Sequence, residues 1–346
     1  MSSSKILFIL KRKQNYNLST DYSIGLSTGL YNSAQFMNQM LLDGGFDSQM
    51  VVVNDNNDID REVTLHKPTH VIIEALWVVP SKFEVLSKLH PNVKWVIRLH
   101  SEIPFLANEG MAMNWIGEYS KFDNIIISCN SPQTTKDIEF YMSTKLGIEK
   151  HIAFLPNFYP QQYKTKSFNK KDDTIHIGCF GAIRPLKNHL IQAFAAIKFA
   201  DEIGKKLHFH INCDRVEQKG EPILNNLISM FDHLEHKGHK LVHHEWSVRE
   251  EFIQLCSTMD IGIQISFNET FNIVGADIIS QGVPLVSSPE IPWANSLFTA
   301  RQTNTDDIVD SLLCTYSYPT INVLLNQRGL KKYTNNTKRI WFNFFK

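Results

Sequence analysis

Residues 263–288 read IQISFNETFNIVGADIISQGVPLVSS. Ile261, Ile263 and Ile265 form an apolar run of the buried-strand type, and Ser266, Asn268, Glu269 and Thr270 make a polar loop after it. A helix-like segment follows and stops at Gly282, and Val283 to Val286 opens a second apolar run. The unit is strand, loop, helix, strand. Glu269 stands at the mouth of the loop and Asp277 about two turns into the helix. Two carboxylates are thus offered near the C-terminal edge of a parallel sheet, where open α/β folds bind ligands. A helix-dipole charge and a solvated helix residue would give the same spacing.

Upstream, the same alternation runs back through the chain. Strands are expected at Ile6 to Leu10, Met50 to Val53, His70 to Ile73, Trp95 to Leu99, Asn124 to Ser128 and His151 to Leu155. Helices are expected at Tyr31 to Leu42, Ser81 to Leu89, Pro104 to Tyr119 and Pro132 to Leu146. Residues 159–173 are polar, lysine-rich and without periodicity, and read as a linker. The alternation then restarts: strands at Thr174 to Phe180, Leu207 to Asn212 and Lys240 to His243, with helices at Asn188 to Ile203, Pro222 to His236 and Glu250 to Met259. Helices between strands imply βαβ units and parallel sheets. The expectation is an α/β protein of two Rossmann-like domains, 1–158 and 174–328, with a cleft between them suited to a small molecule.

Composition excludes several classes. Lysine plus arginine and aspartate plus glutamate each number 35, so no global field draws the chain to nucleic acid or membrane. The five cysteines are scattered and mostly lie inside apolar runs, as reduced core residues of a cytoplasmic protein do. Lys5 to Leu10 is too short for a signal peptide and runs into Lys11, Arg12 and Lys13. No apolar run is long enough to span a bilayer.

A second constellation is Gly178-Cys-Phe-Gly181-Ala-Ile-Arg184-Pro-Leu-Lys187-Asn188. A glycine turn leaves a strand and delivers an arginine and a lysine just before a helix. Backbone N–H groups at a helix start, with two cations beside them, can cradle a diphosphate. The loop matches neither a dinucleotide fingerprint nor a Walker loop, which disfavours a dehydrogenase. A tight turn carrying solvated cations is the plainer alternative.

The order G-x-x-x-x-x-R-x-x-K-N, then S-x-x-E-x-F-x-x-x-x-x-D and GVPLV, resembles the C-terminal domain of retaining GT-B glycosyltransferases, most nearly the family-four group. That resemblance implies a fold of two Rossmann-like domains facing each other across a cleft, and a donor that is a UDP- or GDP-linked sugar. It implies donor contacts from Gly29 in the glycine-containing loop Gly25 to Gly29, and from Gly181, Arg184, Lys187, Asn188, Glu269, Thr270, Phe271, Asn272 and Asp277. Within these, Arg184 and Lys187 would take the diphosphate, Glu269 the transferred sugar and Asp277 the ribose. Asp277 departs from the family's glutamate. Arg98-Leu-His100-Ser-Glu102 resembles the segment carrying the family's active-site histidine, so His100 and Glu269 would position the reacting sugar. Retention without a bound metal or cofactor is implied, as is a last helix, within 329–346, that packs back on the first domain.

The run from Asp55 to Leu86 also resembles uncharacterised proteins of tailed phages, which points to hydroxymethylcytosine in double-stranded DNA as acceptor, reached by base flipping. Lys11, Arg12, Lys13 and Glu102 would then face that acceptor. A surface polysaccharide is the rival acceptor, and a sugar-nucleotide epimerase or a non-catalytic sugar-nucleotide-binding protein the rival classes. A monomer or weak dimer in the cytoplasm is expected. The histidines His233, His236, His239, His243 and His244 read as a solvated surface, and Trp77 and Trp293 as core.

Overall fold

A computed structural model describes residues 4–12, 28–147, 152–168 and 172–346. The chain divides into two compact units, residues 1–160 with 334–346, and residues 161–333.

In the first unit the strands are β1 (Lys5–Lys11), β2 (Asp47–Val53), β3 (His70–Glu74), β4 (Lys94–Leu99), β5 (Ile125–Cys129) and β6 (Ala153–Phe154). They form one parallel sheet in the order β2-β1-β3-β4-β5-β6. Its helices are α1 (Thr28–Asp43), α2 (Ile59–His66), α3 (Lys82–Leu89), α4 (Ile103–Leu106), α5 (Ala112–Tyr119) and α6 (Pro132–Leu146). The central strands are apolar on both faces because each face is covered, one core holding Val71, Ile73, Trp95 and Ile97, the other Ile6, Phe8, Ile72 and Val96. One helix was expected over Pro104 to Tyr119; two stand there, α4 and α5, separated by a turn through Asn108, Glu109 and Gly110.

The second unit carries β7 (Thr174–Gly178), β8 (Lys206–Asn212), β9 (Lys240–His244), β10 (Ile261–Gln264) and β11 (Leu285–Ser287), parallel in the order β11-β10-β7-β8-β9. Its helices are α7 (His189–Glu202), α8 (Glu221–His233), α9 (Arg249–Thr258), α10 (Ile273–Ser280) and α11 (Thr305–Ser317). The order places β10 beside β7, so the loop after each strand emerges at one sheet edge. Within the segment read as a linker, residues 164–166 lie against this unit: Lys164 N–H donates to Ser280 O at 2.7 Å, and Lys166 Nζ to Ser257 O at 2.8 Å. Lys166 lays its stem along the unit and has its ammonium satisfied there, while Lys164 stays exposed and contributes its backbone alone.

The last helix, α12 (Pro319–Phe344), begins in the second unit and has its final turns, from Thr334, in the first. Those turns carry Trp341, fully buried, which lies 6.1 Å from the Phe8 ring and donates Nε1–H to Pro156 O at 2.8 Å. Phe342 packs on Phe46. Removing Trp341 to alanine would cost about 3–5 kcal/mol by the usual scale for buried aromatics.

Candidate active site

The glycine turn after β7 depends on its sequence. Gly181 holds φ at +117°, which L side chains rarely adopt, and its N–H donates to Asn212 Oδ1 at 3.1 Å. Ile183 then pairs with the chain beyond β8: its N–H reaches Arg215 O and its carbonyl accepts from Glu217 N–H, both at 2.9 Å. Pinned on both sides, the loop presents Arg184, whose Nη1 lies 3.5 Å from Glu217 Oε2. A single 3₁₀ turn, Pro185–Lys187, follows and delivers Lys187.

Lys187 Nζ meets Glu269 Oε1 in a direct ion pair, the side chains 14% and 9% exposed. Glu269 Oε1 also accepts from Asn272 Nδ2 at 3.0 Å, and the same amide reaches Gln264 Oε1 at 2.9 Å. Asn272 Oδ1 caps α10 by accepting from Gly275 N–H at 2.7 Å. One asparagine therefore starts the helix and fixes the carboxylate. The loops after β7 and β10 are tied together by Phe267 N–H to Leu186 O at 2.9 Å, and Gln192 bridges them further, donating to Lys187 O and accepting from Ile265 N–H.

Three cations and two carboxylates meet here. Arg215 Nε donates to Glu217 Oε1 at 2.6 Å and its guanidinium lies 4.9 Å over the Trp246 ring. Burial lowers the Arg184 pKa against the pull of Glu269 and Glu217, with Arg215 lowering it further. Beneath them His189, at the start of α7, is 1% exposed, and neither ring nitrogen makes a hydrogen bond among the described residues. Burial first, then Lys187 and Arg184, push its pKa down to about 3.

Of the residues expected on the donor, Gly181, Arg184, Lys187 and Glu269 come together, and Thr270 follows Glu269 in the same loop. The side chains of four others are engaged within the unit. Asn188 Nδ2 is committed to Ile265 O and Gln302 O at 3.1 and 2.8 Å, so it braces the loop. The Phe271 ring is buried against Trp293 and Tyr333. Asn272 positions Glu269, as described. Asp277, 2% exposed, is ion-paired to Nη2 of Arg249, the first residue of α9, at 2.8 Å. Gly29, expected in a loop, lies in the first turn of α1, and Gly25 falls outside the described residues.

In the first unit, Glu74 ends β3, Arg98 lies on β4, and His100 follows β4. Glu74 and Arg98 are fully buried and paired at 3.1 Å. His100 Nε2 bonds to Glu74 Oε2, with its side chain 15% exposed. Arg98 also donates to Leu155 O at 3.1 Å and to Asn157 Oδ1, and stacks 5.2 Å from Trp341. Burial raises the Glu74 pKa, but Arg98 and His100 outweigh it and the net direction is down. Burial, then Arg98, lower that of His100 against the opposing pull of Glu74. Glu102 Oε1 accepts the Ser131 hydroxyl at 2.6 Å. Lys11 lies 5.9 Å from the Trp77 ring, Arg12 N–H donates to Val53 O, and Lys13 falls outside the described residues.

Glu217, Arg215, Glu74 and Arg98 were missed from sequence. A signal existed for two of them: Glu74 and Arg98 each interrupt an apolar strand, and a buried charge requires a partner.

Two parallel-sheet α/β units of this order define the GT-B fold. Solved structures share it over nearly the whole chain. An alpha,alpha-trehalose-phosphate synthase (UDP-forming) from Burkholderia vietnamiensis has a TM-score of 0.71 at 9% identity, covering 99% of this chain and 96% of its own. A sucrose-phosphate synthase from Thermosynechococcus elongatus scores 0.68 at 10% identity, covering 99% and 98%. A trehalose-6-phosphate synthase studied for glycosyl transfer with retention scores 0.69 at 9% identity, covering 99% of both chains. At such identities the likeness is one of fold. No protein-family model matches the chain, and no curated protein matches it in sequence.

Proposed function

We propose that the chain is a glycosyltransferase that moves a sugar from a nucleoside-diphosphate donor to a hydroxyl acceptor with retention. The observation that carries this is the Lys187–Glu269 pair, braced by Asn272 and set beside Arg184 at the edge where β7 and β10 end. Departure of the nucleoside diphosphate places negative charge on the β-phosphate. Arg184 and Lys187 supply fixed positive charge for it, each able to make charge-assisted hydrogen bonds. Glu269 accepts from sugar hydroxyls, and in the first unit His100, held by Glu74, is the residue assigned to the sugar. The Arg249–Asp277 pair fixes α9 to α10 and is given no role on the ribose.

The names of the structural neighbours make a UDP-sugar the first donor to try and a sugar phosphate the first acceptor; hydroxymethylcytosine DNA and polysaccharide are the further acceptors. The test is calorimetric binding of UDP, GDP and their sugars to the wild type, Lys187→Met and Glu269→Ala, followed by transfer assays. Lys187→Met is expected to lose about 1.5–3 kcal/mol of affinity for the diphosphate alone, the worth of a hydrogen bond to a charged group. Glu269→Ala keeps the diphosphate and loses the increment due to the sugar. Binding of NAD, or of no sugar nucleotide at all, overturns the reading.

A further inference from the structure

The second sheet has one face that a doubly wound sheet does not normally show. Strand β8 reads Lys206-Leu-His-Phe-His-Ile-Asn212. Leu207, Phe209 and Ile211 enter the core, while His208 and His210 alternate onto the opposite face. Parallel strands covered on both faces read as continuous apolar runs, and this strand does not. The register sets His176 of β7 opposite His208, and β9 adds His244 opposite Asn212. Four imidazoles therefore share a half-buried face.

They meet through their nitrogens. His176 Nδ1 lies 2.9 Å from His210 Nε2, and His210 Nδ1 lies 2.8 Å from His244 Nε2. One nitrogen from each of His176, His208 and His210 falls within 4.8 Å of the others. We propose that His176, His208 and His210 form a binding site for a divalent cation of the zinc class. Neutral imidazole suits Zn²⁺, Co²⁺, Ni²⁺ and Cu²⁺, whereas a set without carboxylates does not suit Mg²⁺ or Ca²⁺.

The geometry supplies the outer shell as well. A metal-bound histidine usually donates its other N–H to a fixed acceptor, which sets the tautomer. His210 does this when Nδ1–H donates to His244 Nε2, turning the Nε2 lone pair toward His176 and His208. Two nitrogens on one ion at about 2.0–2.1 Å stand roughly 3–3.4 Å apart, so the gap between His176 and His210 opens by only a few tenths of an ångström. The proton on His176 Nδ1 moves to its own Nε2, a metal–nitrogen bond replaces the hydrogen bond, and no net proton is released. Lys206 and Lys240, at the starts of β8 and β9, oppose a cation and moderate the affinity. An ion bound here ties β7 to β8 two residues short of the loop that carries Arg184, since Asn212, next on the same face as His210, accepts from Gly181 N–H. The site stands independently of the donor reading.

The test uses the untagged full chain freed of metal, titrated with Zn²⁺ by calorimetry and with Co²⁺ by visible absorption. One equivalent is expected, with a ligand-field band from Co²⁺ and a rise in Tm on adding Zn²⁺. His208→Gln and His210→Gln lose the equivalent, and His244→Gln weakens it about 10–100-fold. Circular dichroism confirms that each variant is folded, and His208→Asn at this half-buried position repeats the test with a smaller side chain. The exposed His233, His236 and His243, replaced together by glutamine, leave binding unchanged. Failure of the wild type to bind, equal binding by His208→Gln, or loss only in the triple variant overturns the proposal.

Discussion

Both sheets set an arginine and a glutamate at the edge where ligands bind in α/β folds, yet they use them in opposite ways. In the first unit Glu74 and Arg98 are closed to solvent and every contact they make is internal, so only the outer side of His100 is exposed. In the second unit Arg184, Lys187, Glu217 and Glu269 are 9–23% exposed and paired with one another at a surface. A closed network holds a group in place. An open one can exchange its internal partners for those of a ligand, and under the proposed function a diphosphate would replace Glu217 on Arg184. On the proposed reading, the first edge positions and the second binds.

The largest expected effect breaks that contrast at its closed end. Arg98→Met leaves Glu74 buried without its cation, and removing one partner of a buried pair costs about 3–5 kcal/mol. Glu74→Leu combined with Arg98→Met removes both charges and recovers most of that loss. Urea denaturation of the single and double variants checks this. A single-variant loss under about 1 kcal/mol, the range of exposed pairs, would show the first edge to be as open as the second.

Acid sharpens the comparison at the next level. His189 has an unfolded pKa of about 6.5 and a folded one of about 3, so its folded pKa is depressed. As pH falls below 6.5 the unfolded chain takes up a proton that the folded chain refuses, and stability falls by about 1.4 kcal/mol per pH unit. At pH 5 that is about 2 kcal/mol. His100, also lowered, adds loss of the same sign, and Glu74, lowered, adds more as pH drops through the carboxylate range. His189→Leu should remove its own share, visible as a shallower loss between pH 7.5 and pH 5 in urea titrations. An equal loss in variant and wild type would place the acid sensitivity in other histidines, among them His210 of the second sheet and His70 of the first, whose pKa values burial lowers to about 3 and about 4.

How much of this could be read beforehand followed from distance along the chain. Buried parallel strands announce themselves as apolar runs, and the alternation of strand and helix was plain from Ile6 onward. Helix α2 was not, because only Ile59 and Val63 of its eight residues are buried, leaving too thin a stripe to show period. The loop from Gly181 to Lys187 and the Glu269 loop were legible because each is continuous. Glu217 was not, since a backbone pairing between Ile183 and Val216 brings it in, and no side-chain pattern encodes that. The Glu74–Arg98–Asn157 network spans three separate segments and showed itself only as charge inside apolar strands. The histidines of the second sheet were missed for a related reason: the cluster along 233–244 drew the eye, while His176, His208 and His210 meet only through strand register.

The smallest effect separates fold from site within one residue. Asn272 caps α10 through Oδ1 and holds Glu269 through Nδ2, at a φ of 61° that disfavours most side chains. Asn272→Ala loses the cap and meets the left-handed backbone without relief, a cost of about 1 kcal/mol or somewhat more. Asn272→Gly accepts that φ and, as a cap, costs only a few tenths. The two variants thus differ in stability but remove the same amide from Glu269. If the amide positions the carboxylate, both lose the same sugar-dependent binding increment despite their different stabilities. If Glu269 is held by Lys187 alone, the glycine variant binds as the wild type does, and the open network in the second unit proves to be a single ion pair rather than a braced one.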